Sequence, residues 1–147
     1  MADYKKILVS IDLTAEADQV VEQASSIAAR YQAELSLIHV IEPLTFAYGG
    51  DIPMDVSTIQ EEIETQAKAR LRGLGSQWNI PAERQYLIYG RPAAEVHRLV
   101  TEQQADLIVI DSHGRHGIGL VLGSTATAVL HGAKCDVLAV RVRSATK

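Results

Sequence analysis

Apolar residues along the chain fall into short continuous runs that alternate with longer segments of helical spacing. The short runs are typical of strands that are buried on both faces. We predict five of them, in chain order Lys5–Asp12, Glu34–Ile41, Arg84–Tyr89, Asp106–Asp111 and Asp136–Val142. The third is the most polar, so we expect it at an edge of the sheet.

The segments between these runs carry apolar stripes at helical spacing. The stripes run, in chain order, over Ala17–Tyr31, Val56–Trp78, Ala93–Val100 and the short helix Gly123–His131. Thr14 is placed to cap the first helix, and Pro92 suits the first position of the third. Glu42–Asp55 is irregular, and its Phe46 and Tyr48 could cover a ligand or a neighbouring subunit, or pack on their own loop.

Strands that alternate with helices predict an α/β fold of parallel units with right-handed crossovers. The chain has no internal repeat, low-complexity tract or linker, so we expect residues 1–147 to form a single domain. The expected architecture is an open, doubly wound, Rossmann-like sheet with helices on both faces. Ligands of such folds bind at the carboxyl ends of the strands where the strand order reverses. This rule points to Asp12, to His39–Ile41 and to Asp111 onward.

The most informative segment combines the fourth strand, a glycine-rich loop and a helix that opens at Gly123–Ser124–Thr125. Four of the ten glycines lie here, namely Gly114, Gly117, Gly119 and Gly123. Glycine leaves backbone N–H groups open to a ligand, and a helix N-terminus adds unpaired donors and partial positive charge. Together they favour phosphate binding. A flexible connector that ends in an N-cap serine is the alternative.

Composition narrows the function. The formal net charge of −4 argues against a nucleic-acid partner or an anionic membrane surface. No apolar run approaches the ~20 residues that a membrane span needs. Cys135 is the single cysteine and cannot form an internal disulfide, so we expect a packing role for it and a cytoplasmic protein.

Candidate chemistry outside the glycine loop is sparse. Asp12 could accept hydrogen bonds from ribose hydroxyls or an adenine amino group, or could interact with the helix dipole. His113 and His116 give a weak metal signal without further ligands. His39 fits a hydrogen-bonded core histidine, whereas His97 and His131 fit helix surfaces. Phosphoryl transfer normally needs a metal ion, a general base and a charge-stabilising cation, and the glycine loop offers Arg115 and two histidines. We therefore predict no catalytic residue and no enzyme.

Several segments together resemble the universal stress proteins over essentially the whole chain. They are KKILVSID, LSLIHVIEP, the Gly90-x-Pro92 turn, DLIVIDSHGRHG, LGSTATAVL and CDVLAVRV. The resemblance implies an adenine nucleotide alpha hydrolase-like sheet with strand order 3-2-1-4-5. Many members bind ATP or AMP through Gly-x2-Gly-x9-Gly-[Ser/Thr], which implies an adenine nucleotide as cofactor here.

The resemblance also implies the binding residues. Asp12 would contact ribose or base, the Val40 backbone would contact adenine, and the glycine-rich segment would hold phosphate. The complete predicted nucleotide-binding set is Ile11, Asp12, Leu13, Val40, Ile110, Asp111, His113, Gly114, Arg115, Gly123, Ser124 and Thr125.

The chain departs from the family motif in two places. Asp111 stands where the motif has its first glycine, and eight residues, 115 to 122, separate Gly114 from Gly123. Because the Asp111 charge would oppose each added phosphate, the expected ligand is AMP or ATP with AMP favoured, and Mg²⁺ is expected only beside a polyphosphate. Arg115 could offset part of that repulsion. The alternative function is a dimeric interaction module of the same family whose site no longer binds nucleotide.

The last strand predicts an assembly. Val137–Val140 is apolar, and in the order 3-2-1-4-5 this strand lies at an open edge that invites pairing. Universal stress proteins commonly dimerise through it. We therefore expect a homodimer with antiparallel pairing near Ala139–Arg141.

Overall fold

The computed structural model describes residues 3–43, 57–112 and 122–143. The strands are β1 (Lys6–Ser10), β2 (Glu34–Ile41), β3 (Gln85–Tyr89), β4 (Leu107–Asp111) and β5 (Asp136–Val140). The α-helices are α1 (Ala17–Tyr31), α2 (Ser57–Trp78), α3 (Pro92–Gln103) and α4 (Ser124–His131), and a 3₁₀ turn covers Ala82–Arg84. Within the described ranges, no helix has the length and apolarity needed to cross a membrane.

The five strands form one parallel sheet in the order β3-β2-β1-β4-β5, as predicted. Residues of β1 alternate between the two faces. Ile7 and Val9 pack in a core under α1 and α2, whereas Leu8 packs in a second core under α3 and α4. β3 and β5 are the two edges, which confirms the edge position expected of the polar third strand.

Several of the predicted element limits were wrong. The β1 run stops at Ser10 rather than Asp12, and β5 stops at Val140. Thr14 does not cap α1, because its hydroxyl donates to Asp12 Oδ1 at 2.9 Å, and the N-cap position belongs to Glu16. The first half of α2 also differs, since Ile59 and Ile63 are exposed although they continue the apolar stripe.

β5 is fastened at both ends. The Tyr4 hydroxyl donates to Asp136 Oδ2 at 2.6 Å, and this hydrogen bond, with burial, raises the pKa of Tyr4 to about 12. Beyond the strand, the Gln19 side-chain amide donates to the Arg143 carbonyl at 2.7 Å and accepts from the Arg143 N–H at 2.8 Å. The Gln19 side chain thereby satisfies both backbone groups of Arg143, as a neighbouring strand would.

Two glycines of α2 have opposite surroundings. A Cβ on Gly75 would lie 1.9 Å from Gln85 Nε2 and 2.9 Å from the Ile80 carbonyl oxygen, whereas a Cβ on Gly73 would meet nothing within 4 Å. The Gln85 amide itself donates to the Ile80 carbonyl at 2.8 Å, so it cannot move away without losing that bond.

We predict opposite effects of the same substitution at these two positions. Gly73→Ala should raise the free energy of unfolding by about 0.5–1 kcal/mol, because alanine has the higher helix propensity. Gly75→Ala should lower it by about 1–3 kcal/mol through overpacking. Urea unfolding of both variants measures this, and equal effects would contradict the described packing.

Candidate functional site

The register of the sheet brings the predicted binding residues of β1 and β2 together. The Ile11 N–H donates to the Ile38 carbonyl at 3.0 Å, and β1–β2 pairing ends at the Ser10–Ile38 pair. Had the parallel ladder continued by two residues, Asp12 would pair with Val40. Instead these two residues stand across from one another where the strands part. We call Ile11, Asp12, Leu13 and Val40 together the open rung.

The backbone of Val40 faces this opening. In a parallel strand, the N–H and carbonyl of one residue point to the same neighbouring strand, and successive residues alternate between neighbours. Ile38 faces β1, because its carbonyl accepts from Ile11, and Ile41 faces β3, because its carbonyl accepts from the Gly90 N–H at 3.0 Å. Val40 therefore presents both backbone groups to the β1 side. Such a donor and acceptor pair matches the edge of a nucleobase.

Asp12 is exposed at the start of the turn that follows β1. Its carboxylate accepts from Thr14, and the Thr14 carbonyl accepts from Arg70 Nη2 at 3.3 Å and from the Ala17 N–H at 3.2 Å. Arg70, on α2, also lies 3.7 Å from Asp18 of α1. The position of Asp12 is thus set by contacts from two helices, while the side chain remains open to solvent.

β4 brings a second group of predicted residues to the same carboxyl end of the sheet. β1 and β4 are paired through Ser10–Ile110, so extension of that register places Ile11 beside Asp111 and Asp12 beside Ser112. Ile110 is buried and Asp111 half-buried. Alternation along β4 assigns Asp111 to the α1 side of the sheet and Ile110 to the α4 side, where Ile110 packs in the second core.

Ser112, which the sequence analysis did not single out, connects β4 to the start of α4. Its N–H donates to the Val140 carbonyl at 2.9 Å, and its carbonyl accepts from the Gly123 N–H at 2.9 Å. Gly123 therefore lies next to the residue that follows β4. A position directly after a buried strand was the only available signal for this residue.

The N-terminus of α4 carries no side-chain cap. Gly123 occupies the N-cap position, with φ −63° and ψ 157°, and the first turn contains no acidic residue. Gly123 is buried, whereas Ser124 and Thr125 are exposed. The N–H groups of the first turn are directed out of the helix, and with the helix dipole they favour an anion at this point.

The remaining predicted site residues, His113, Gly114 and Arg115, lie outside the described residues, as do His116, Gly117, Gly119, Phe46 and Tyr48. The structure brings nine residues of the predicted set to the carboxyl end of the sheet. They are Ile11, Asp12, Leu13, Val40, Ile110, Asp111, Gly123, Ser124 and Thr125. Within the described ranges, no three potential metal-ligating side chains cluster together.

His97 is not the surface residue that its helix position predicts. Its ring packs on Gly132, where a Cβ would lie 2.7 Å from Nε2, and Nε2 is buried without a hydrogen-bond partner. It lines a cleft of about 270 Å³ with Ala94, Arg98, Val100, Thr101 and Lys134. Arg98 is paired there with Glu95 and Glu102, which offsets its charge.

Cys135 has the packing role expected of it. It is half-buried against the α3/α4 core, and burial, followed by the nearby charges of Asp136 and Asp106, raises the pKa of its thiol. A thiol with a raised pKa is mostly protonated at neutral pH and is a poor nucleophile.

Comparison with known proteins gives consistent matches along the chain. The family model described as the universal stress protein family matches residues 3–141. Two proteins of Coxiella burnetii, universal stress protein A homologs 1 and 2, are 42% identical over 139 residues and 44% identical over 147. These alignments cover 93% and 97% of this chain and 96% and 99% of the relatives.

Solved structures share the architecture. Universal stress protein UspA from Lactobacillus plantarum superposes with a TM-score of 0.77 at 25% identity, over 96% of this chain and all of the other. A universal stress protein crystallised in complex with cAMP gives a TM-score of 0.68 at 24% identity, over 95% of this chain and 98% of the other.

The uncapped start of α4 yields a test of its electrostatics. Ser124→Asp should raise the free energy of unfolding by about 0.3–1 kcal/mol at low salt, because a carboxylate in the first turn interacts favourably with the helix dipole. Ala128→Asp, on an exposed position in the middle of the same helix, should give no such gain. Thermal unfolding at low and high salt measures both, and a gain for Ser124→Asp that salt leaves unchanged would contradict the electrostatic origin.

Proposed function

Because the chain belongs to the universal stress protein family, we propose that it is a stress-response module that binds an adenine nucleotide at the carboxyl edge of its sheet. The observation that carries this proposal is that the open rung and the uncapped start of α4 lie at the same end of the sheet. The open rung offers the Val40 backbone to a base and the Asp12 carboxylate to a ribose. The other end offers helix N–H groups to a phosphate.

The proposed binding set remains the one predicted from the sequence. His113, Gly114 and Arg115 belong to it through the family resemblance, and the other members through their place at the strand ends or at the start of α4. That a universal stress protein of the same fold was crystallised with cAMP supports an adenine nucleotide as the ligand class. We further propose that residues 1–147 act as one domain and that the protein works in the cytoplasm.

AMP is the proposed ligand in preference to ATP. Asp111 adds a negative charge at the end of β4, and two unit charges ~4 Å apart cost about 1 kcal/mol in water and about 4 kcal/mol at a protein surface. Repulsion therefore increases with the number of phosphates, and Mg²⁺ would accompany only a polyphosphate.

We propose binding without catalysis. Phosphoryl transfer normally requires a positioned metal ion, a base and a cation that stabilises developing charge. The described side chains at the phosphate end are the hydroxyls of Ser124 and Thr125, which can donate hydrogen bonds to a phosphate, and the Asp111 carboxylate, which would repel it. None of these three groups is a cation that could stabilise the charge that develops in phosphoryl transfer.

Calorimetry with AMP and ATP tests the proposal. The unmodified protein should bind AMP more tightly than ATP. Ser124→Asp should weaken AMP binding by at least about fivefold, because the new carboxylate repels the phosphate, and Ala128→Asp should bind like the unmodified protein. Absence of heat with both nucleotides would refute nucleotide binding and favour the interaction module with a degenerate site. Tighter binding of ATP would refute only the argument from Asp111.

We also propose a homodimer that pairs through β5. Val140 faces β4, because its carbonyl accepts from the Ser112 N–H, so the alternation of the ladder turns the N–H and carbonyl of Ala139 toward the open edge. Ala139 is exposed, and Val137 and Leu138 are half-buried. A two-fold partner with the same strand would satisfy both edges.

Ala139→Pro is therefore the substitution that tests this interface, since it removes a donor that points out of the sheet. It should convert the dimer to a monomer at micromolar concentration, as measured by light scattering. Ala139→Thr retains the donor and should remain dimeric. A monomeric unmodified protein would refute the assembly without affecting the nucleotide proposal.

A further inference from the structure

His39 forms a hydrogen bond to one member of the open rung, Ile11. Its Nδ1 lies 2.8 Å from the carbonyl oxygen of Ile11, and since a carbonyl only accepts, Nδ1 carries the proton and donates. The Ile11 carbonyl is the acceptor that the next rung of the β1–β2 ladder would use, with the Val40 N–H as its donor. The imidazole thus contacts the acceptor that the Val40 N–H would use if the ladder continued, and among the described backbone hydrogen bonds there is none from Val40 to Ile11.

The ring can reach this carbonyl because of where β2 places it. Leu35 and Leu37, at alternate positions of β2, are buried in the core under α1 and α2, so alternation puts the His39 side chain on the same face. Ile11 belongs to that core as well. The half-buried ring crosses from β2 to the exit of β1 on the face where the chain turns toward α1.

We propose that His39 is a positioning residue for nucleotide binding: by taking the Ile11 carbonyl, it ends the β1–β2 ladder and leaves the Val40 backbone to the base. This inference rests on the proposed function. His39 does not contact the ligand in this scheme. It acts through the Ile11 carbonyl on two residues, Val40, which follows His39 in sequence, and Asp12, which follows Ile11.

Two substitutions separate the hydrogen bond from the size of the side chain. His39→Leu removes the donor, and the Ile11 carbonyl is then free to accept from the Val40 N–H. His39→Asn places an amide donor at nearly the position of Nδ1 and should restore the contact. Arg84→Leu is the matched control, since Arg84 Nε also donates to a β2 carbonyl, that of Leu35 at 2.8 Å, near the opposite end of the strand.

The first readout is affinity for AMP by calorimetry. His39→Leu should weaken binding about tenfold, the upper range for one hydrogen bond, and should weaken ATP binding by the same factor because the effect lies at the nucleoside end. His39→Asn and Arg84→Leu should bind as the unmodified protein does.

The second readout is amide hydrogen exchange at Val40 without nucleotide. His39→Leu should slow exchange at Val40, because its N–H gains the Ile11 carbonyl, whereas Arg84→Leu should not. Unchanged exchange and unchanged AMP affinity in His39→Leu would overturn the inference. If the unmodified protein binds no nucleotide, the proposed function fails together with the ligand half of the inference. The exchange result still decides whether His39 ends the ladder.

Discussion

The candidate site depends on the point at which the central strand leaves the sheet. β1 is paired on both sides, to β2 and to β4, and its residues are buried as far as Ile11. The backbone groups of a fully paired strand are all hydrogen-bonded to its neighbours, so no ligand could bind to them. Because β1 turns away after Ile11, the backbone of β2 and the end of β4 retain groups that face the gap. The hydrogen bonds of His39 and Ser112 fix where that gap begins.

Much of the fold follows from patterns that a sequence displays directly. Continuous apolar runs identified all five strands, and the greater polarity of Arg84–Tyr89 identified an edge. The order 3-2-1-4-5 came from the resemblance, since alternation of strands and helices allows several orders. The ends of the strands were harder to predict. Ile11 and Asp12 continue the apolar pattern of β1, but the His39 side chain of β2 ends the pairing of β1 with β2.

Two of the remaining errors have a common physical origin, which is that spacing describes one element and burial depends on two. Ile59 and Ile63 continue the stripe of α2, but only the second half of that helix, from Ala67, is buried against the sheet. His97 lies on a polar face of α3, yet Gly132 has no side chain and lets the ring approach. Thr14 has the right spacing for a cap, but its hydroxyl finds the nearer Asp12 carboxylate. The outcomes at α2 and at His97 could not be inferred without the neighbouring element, whereas the outcome at Thr14 depends on a contact within one turn.

The two attachments of β5 have a consequence for how assembly and folding are related. Tyr4 holds Asp136 at one end, and Gln19 holds Arg143 at the other, so the edge strand keeps its shape through contacts within its own chain. Conformational entropy that a loose edge would lose on association has already been lost when the protomer folds. Such a preorganised edge makes the folded protomer a species in its own right. Its thermal stability should then depend little on protein concentration, unlike that of an obligate dimer whose subunits fold only together.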